Sequence, residues 1–183
     1  MCRLRFVDPE DADDRLKSHF RKLGMVSNVF GVMANSETVL DLFITANERL
    51  DGGKLPSKIR RMIYLAVSEF NDCTYCLAYH TRLSTEAGLM SYEECLDARR
   101  MRSRNPKYNV ILQFVREIFD TRGKVSDSAI DRVKKAGYSD EAIMEIIATI
   151  SLAMLANLTA NIGEPELDFL PAPPLDSSGQ RSI

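Results

Sequence analysis

The chain has 183 residues, of which 45% are hydrophobic and 27% are charged, with a formal net charge of -2. These values fit one globular domain with an apolar core, and they provide no basic surface for nucleic acid or anionic lipid. The first ten residues lack the apolar run of a secretory signal, so we expect a cytoplasmic protein.

The hydrophobic periodicity is helical along nearly the whole chain, which predicts an all-α, single-domain bundle of about eight helices. We expect the helical domain to cover 1–170 and an extended or disordered tail, rich in proline and serine, to cover 171–183. Helices are predicted over 11–23, 38–50, 55–70, 108–123, 126–136 and 143–163, with a short helical turn at 26–33. A further helix is expected to begin at 72 or 73 and to continue past 80. Another is expected to begin at 91, where a Ser-x-x-Glu sequence forms a capping box.

The most apolar uncharged stretch, 146–162, falls short of the roughly 20 apolar residues that a membrane span requires. It also contains Thr149, Asn157 and other polar side chains. We therefore predict a buried core or subunit-interface helix, and no membrane association.

The residues best suited to catalysis, two cysteines and a histidine, lie in the segment Asn-Asp-Cys-Thr-Tyr-Cys-Leu-Ala-Tyr-His at 71–80. On a helix, Cys73, Cys76 and His80 would share one face, because each residue turns the chain by about 100°. An imidazole four residues after a thiol can take its proton, and a second thiol three residues before it can close a disulfide. The spacing predicts a redox-active dithiol.

Asn71 and Asp72 are both residue types that begin helices, which predicts that one helix ends near Phe70 and another begins at Asp72 or Cys73. The cysteines would then lie in or near a first turn, where the helix dipole favours thiolate. Thiol pKa values in such settings fall from about 8.5 into the range of about 3.5–7.5.

A Cys-x-x-Cys pair with a nearby histidine is also compatible with zinc, which would make the protein a zinc-binding or scaffold oligomer. Only three ligands are local, however, since His19, Cys2 and Cys95 are distant in sequence. We therefore favour redox chemistry without a metal or another cofactor.

The motif Asn-Asp-Cys-x-Tyr-Cys-x-x-x-His follows an apolar helix that begins Leu-Pro-Ser-Lys-Ile-Arg-Arg-Met-Ile at 55–63. Together they resemble the alkyl hydroperoxidase D-like / carboxymuconolactone decarboxylase superfamily, and more narrowly its peroxidase-related branch. The segment 23–30 and the helix containing Asn157 extend the resemblance over most of 20–170.

The resemblance implies an all-helical fold that assembles as a trimer or hexamer. It implies that Cys76 attacks a hydroperoxide, that Cys73 resolves the product, and that His80 serves in a proton relay. A thiol or dithiol donor, such as a thioredoxin-like or lipoyl protein, would return the electrons. The alternative is a carboxymuconolactone decarboxylase-like lyase with His80 as the base, but such members generally lack the cysteine pair.

One position departs from the superfamily pattern. The relay glutamate usually lies about a dozen residues before the first cysteine, where this chain has Arg61. Glu69 is on roughly the same helical face, so we predict that Glu69 orients His80 in its place.

Overall fold

The computed structural model describes residues 2–23 and 26–175. Within them the chain forms helices and no strand, so the predicted all-α class is confirmed. The helices of this part are α1 (Asp14–Lys22), α2 (Asn28–Met33), α3 (Glu37–Asp51), α4 (Ser57–Phe70), α5 (Thr74–Glu86), α6 (Tyr92–Arg99), α7 (Pro106–Thr121), α8 (Asp127–Lys135) and α9 (Asp140–Gly163). They number nine rather than about eight, because 28–33 forms a helix of its own.

Side-chain caps fix where several of these helices begin. The predicted capping box is present at α6, where the Ser91 hydroxyl accepts from the Glu94 N–H at 3.2 Å. In return, the Glu94 carboxylate accepts from the Ser91 N–H at 2.9 Å. Such reciprocal bonds satisfy amide groups that a helix start otherwise leaves without partners.

The centre of the core is α4, which packs against α5, α6, α7 and α9. Ile63 and Leu65 lie on opposite sides of α4, and both are fully buried. A helix that is apolar on all sides must be covered on all sides. Helix α5 therefore follows directly on the central helix of the bundle.

The longest helix, α9, packs against α2, α3, α4 and α5. Its last residue, Gly163, lies so close to α2 that an added Cβ would be 2.7 Å from Cγ1 of Val32. Among the described residues, α9 is also the helix whose length and composition would suffice to cross a membrane, a property that it shares with core helices of soluble proteins. The predicted lack of membrane association stays a prediction.

After α9 the chain runs over the bundle without regular structure as far as residue 175. Along this path the Asp168 carboxylate accepts a hydrogen bond from the Tyr75 hydroxyl, and the Phe169 ring lies near Tyr79. The Pro173 carbonyl accepts from Arg99 at 2.8 Å. Of the predicted tail, 176–183 lies outside the described residues.

Candidate active site

The predicted break between α4 and α5 is present, but its cap differs from the expectation. Asp72 adopts the left-handed conformation with φ of 50°, which reverses the chain direction after α4. Cys73, rather than Asn71 or Asp72, then becomes the N-cap of α5. Its Sγ accepts a hydrogen bond from the Cys76 N–H at 3.3 Å, as a capping oxygen would.

Both cysteines are free thiols and both are buried, but they differ in access to ligands. Cys73 has no exposed surface, whereas Cys76 lines a cavity of about 360 Å³ between α3, α4 and α5. Within the described residues, Cys73 is not part of the cavity wall. A small molecule in this cavity can therefore reach only Cys76.

Of the two thiols, Cys73 is the more acidic and Cys76 holds its proton more tightly. A hydrogen bond from the Cys76 side chain lowers the pKa of Cys73 against the opposing effect of burial, and the Cys76 N–H adds to this. The same hydrogen bond and burial raise the pKa of Cys76 well above the ordinary thiol value. The favoured singly ionised state is thus a Cys73 thiolate that accepts from a Cys76 thiol.

Asn157 is a member of the site that the sequence reasoning did not identify. It is fully buried on α9, and its amide nitrogen donates to the Ser68 hydroxyl at 3.1 Å. Its amide oxygen accepts from Asn71 at 2.9 Å, and hydrogen bonds from Asn157 also lower the pKa of Cys73 and of Cys76. An amide in the middle of the most apolar stretch of the chain was the available signal, because buried amides require polar partners.

His80 lies on the same cavity wall as Cys76, yet its ring does not contact the thiols through a hydrogen bond. Nη1 of Arg61 lies 2.7 Å from Nδ1 of His80. Neither ring nitrogen is hydrogen-bonded to Cys73 or Cys76 in the part of the chain that the structure describes. The spacing predicted a direct proton transfer from a thiol to the imidazole, and the described residues provide no hydrogen bond between these groups for it.

Arg61 determines the state of the imidazole. A guanidinium has only donors, so Nδ1 must accept and the neutral ring must carry its proton on Nε2. Burial, and then the charge of Arg61, lower the pKa of His80 well below its ordinary value. The ring also packs between Tyr64, at a centroid distance of 4.5 Å, and the edge of Tyr79, at 5.1 Å.

Glu69, which the sequence analysis expected to orient His80, forms an ion pair with α6. Its carboxylate accepts from Nε of Arg99 at 2.7 Å, and the side chain of Arg99 is almost fully buried. A buried guanidinium needs an acid nearby, which explains why Glu69 points toward α6. The structure thus places Cys73, Cys76 and His80 near one another and Glu69 in an ion pair.

Within 2–23 and 26–175, no group of three or more histidine, cysteine, aspartate or glutamate side chains has an arrangement that could hold a metal ion.

Comparison with solved structures identifies the fold. The chain is similar to a peroxidase-related protein from Silicibacter sp. TM1040, with a TM-score of 0.74 and 23% identity over 93% of this chain and 90% of the other. It is similar to an alkylhydroperoxidase AhpD core protein from Ralstonia eutropha JMP134, with a TM-score of 0.75 and 22% identity over 91% and 92%. The debrominase Bmp8 in complex with 2,3,4-tribromopyrrole gives a TM-score of 0.75 with 18% identity over 91% of each chain.

At these identities the likenesses establish a shared helical fold, which is that of alkylhydroperoxidase-like proteins. The model of the carboxymuconolactone decarboxylase family matches residues 37–104, a segment that includes both cysteines and His80. No curated protein matches the chain. The match over 37–104 and the shared fold support the predicted resemblance to the carboxymuconolactone decarboxylase / alkyl hydroperoxidase D-like superfamily.

Proposed function

We propose that the protein is a thiol-dependent peroxidase in which Cys76 reduces a hydroperoxide and Cys73 resolves the product. The observation that carries this proposal is the asymmetric dithiol at the start of α5. Cys73 is fully buried and accepts a hydrogen bond that lowers the pKa of its thiol, whereas Cys76 lies on a cavity wall. A static structural pair would need neither the capping contact nor the cavity.

The first step is a proton transfer followed by nucleophilic attack. The Cys73 thiolate takes the proton of Cys76, and the resulting Cys76 thiolate attacks the terminal oxygen of the hydroperoxide. The O–O bond breaks, Cys76 becomes a sulfenic acid, and the departing alkoxide takes the proton from Cys73. Sulfur loses two electrons and the peroxide gains them.

The second step regenerates a disulfide. The Cys73 thiolate attacks the sulfenic sulfur of Cys76, forming the S–S bond and releasing hydroxide, which water or buffer protonates. An external dithiol, of the thioredoxin-like or lipoyl type, then reduces the disulfide by thiol–disulfide exchange. A cytoplasmic location, predicted from the sequence, would supply such donors.

The hydrogen bond between Arg61 and His80 limits the part that His80 can take. A base needs a free lone pair, and the lone pair of Nδ1 is occupied by Arg61. His80 can therefore serve in the predicted relay as an Nε2–H donor, or as an acceptor only after Arg61 moves away. For the same reason, a lyase that uses His80 as its base has less support than the dithiol mechanism.

The test compares three single variants under stoichiometric cumene hydroperoxide. We expect Cys76→Ser to abolish peroxide consumption. Cys73→Ser lacks the proposed base, so we expect it to react more slowly, to stop after one turnover and to retain a trappable sulfenic acid at Cys76. The control is Cys95→Ser, since Cys95 is a buried thiol on α6 whose pKa burial raises to about 11. Mass spectrometry after dimedone treatment reads out each state. A Cys76→Ser protein as active as wild type would contradict the proposal.

We also propose that the protein forms a homo-oligomer through α9. The exposed apolar residues of this helix recur at intervals that return to one face, and the described part of the chain leaves them in contact with solvent: Met144, Ile147, Leu158 and Ile162. A contiguous apolar stripe on a soluble domain is typical of a subunit interface. The trimer or hexamer implied by the superfamily resemblance would cover it.

A further inference from the structure

We propose that the substrate of this cavity is an anion, and specifically an apolar hydroperoxide that carries a carboxylate, which Arg61 binds. This inference rests on the proposed function only in so far as the substrate is a hydroperoxide. The carboxylate site is argued from the charges and hydrogen-bond donors of the cavity wall.

Arg61 is a partly buried cation on the cavity wall, and its hydrogen bond in the described residues goes to a neutral ring rather than to an acid. Burial lowers its pKa, but an arginine in a protein stays charged. A guanidinium on the wall of a cavity, with no acid bound to it, is well placed to bind an anion. Its remaining N–H groups form a planar fork that fits the two oxygens of a carboxylate.

The other charged groups of the cavity wall do not neutralise Arg61. Arg60 already pairs with Asp51, whose side chain is 70% exposed. Lys22 and Glu48 are exposed residues of opposite sign on the wall, so their charges offset each other. The uncompensated charge inside the cavity is therefore the single positive charge of Arg61.

Uncharged donors reinforce this preference. Burial raises the pKa of Tyr79, which keeps its hydroxyl protonated, and this hydroxyl has no hydrogen-bond partner within 2–23 and 26–175. The Nε2–H of His80 is a second donor, since Arg61 fixes that tautomer. Tyr64, by contrast, already donates to the Asn47 side chain at 2.7 Å. Donors without acceptors favour a ligand rich in oxygen.

Apolar side chains of α2, α3 and α5 form much of the remaining wall: Val29, Phe30, Phe43, Ile44 and Leu83. A volume of about 360 Å³ lies in the range of cavities that hold small organic ligands. The positive charge of Arg61 and the apolar side chains beside it fit a small apolar molecule that carries one carboxylate. With the carboxylate at Arg61, its peroxide end would face the sulfur of Cys76 on the same wall.

The kinetic test uses a matched substrate pair, cumene hydroperoxide and its para-carboxylate derivative. We expect wild type to prefer the carboxylate in kcat/KM, and we expect Arg61→Gln to lose this preference by about tenfold or more. Arg49→Gln is the control, because it removes an exposed positive charge of α3 outside the cavity. An unchanged preference in Arg61→Gln would overturn the inference.

A binding test separates this inference from the proposed function. In Cys76→Ser protein, calorimetry compares 4-isopropylbenzoate with its neutral amide, with and without Arg61→Gln. Binding of the benzoate that depends on Arg61 supports the anion site even if the wild type lacks peroxidase activity. Peroxidase activity without such binding rejects the anion site and leaves the proposed function standing. If Arg61→Gln does not fold, Arg61→Lys replaces it, with retained but weaker selectivity expected for the carboxylate.

Discussion

The guanidinium of Arg61 donates to Nδ1 of His80 across 2.7 Å, and this bond fixes both the charge and the tautomer of the imidazole. An acid at the same place would do the reverse, since a carboxylate accepts from a ring N–H and favours the protonated ring. The residue at position 61 therefore decides whether the cavity contains an anion–imidazole pair or a cation–imidazole pair.

Replacing Arg61 by glutamate is the direct test of that relationship. We expect the pKa of His80 to rise by at least about one unit, because the variant removes a positive charge and adds a negative one. The measurement is an NMR titration of the ring nitrogens in a His19→Gln background, which leaves one histidine. Arg61→Gln is the matched control and should produce a smaller rise. A titration of His80 that is equal in all three proteins would contradict the assignment.

His80 also predicts how stability depends on pH. Its pKa is depressed in the folded state by burial and by Arg61, whereas in the unfolded chain it is close to 6.5. Below about pH 6.5 the unfolded chain binds a proton that the folded protein does not bind, so stability falls as the pH falls. The loss is about 1.4 kcal/mol per pH unit until the folded-state pKa is reached, and above about pH 6.5 the contribution vanishes.

Denaturant unfolding of wild type and His80→Gln between pH 7 and pH 5 measures this contribution. The difference in unfolding free energy between the two proteins should change in favour of His80→Gln as the pH falls. His19→Gln serves as the control for the other histidine. A difference that is constant over this interval would show that His80 does not titrate differently on unfolding.

The Cys76 side chain is expected to control the acidity of Cys73. In Cys76→Ala the hydrogen bond that chiefly lowers the pKa of Cys73 is lost, so the pKa of Cys73 should rise. Thiolate absorbance in the ultraviolet, followed against pH in a background lacking Cys2 and Cys95, measures this change. If Cys76→Ala leaves the first thiolate transition where it is in the parent protein, the shared-proton arrangement is wrong.

Asn157 should matter for both stability and reactivity. Asn157→Leu removes the hydrogen bonds to Ser68 and Asn71 inside the core, which should cost about 1–3 kcal/mol of unfolding free energy. It should also raise the pKa of Cys73 and slow its attack on the sulfenic acid. Asn161→Leu, one turn later on α9, is the control: it removes one exposed hydrogen bond, to the Asn71 carbonyl, and should cost less.

The apolar stripe of α9 gives a prediction about assembly. Ile147→Lys combined with Leu158→Lys should reduce the mass measured by analytical ultracentrifugation, because each lysine would be buried in the proposed interface. The control is Asp120→Lys on an exposed position of α7. A wild-type protein that sediments as a monomer would rule out the homo-oligomer.

Local chemistry made part of this structure predictable. The end of α4 at Phe70 and the capping box at Ser91 follow from residue types within a few positions, so both were predicted correctly. The contact between Arg61 and His80 joins two helices, and it depends on how α4 and α5 pack rather than on spacing along either one. Likewise, Cys73 became the cap only because Asp72 took the left-handed conformation, which residue preferences near the break did not specify.

The unequal burial of the two sulfurs also sets the route by which the oxidised protein would be reduced. A donor thiolate could approach only Cys76, so the transient bond between the proteins would form at that residue. Cys73 would then depart as the more acidic thiol, and an acidic thiol is the better leaving group in disulfide exchange. The same asymmetry that admits the peroxide at one sulfur thus gives the reductive half of the cycle its direction.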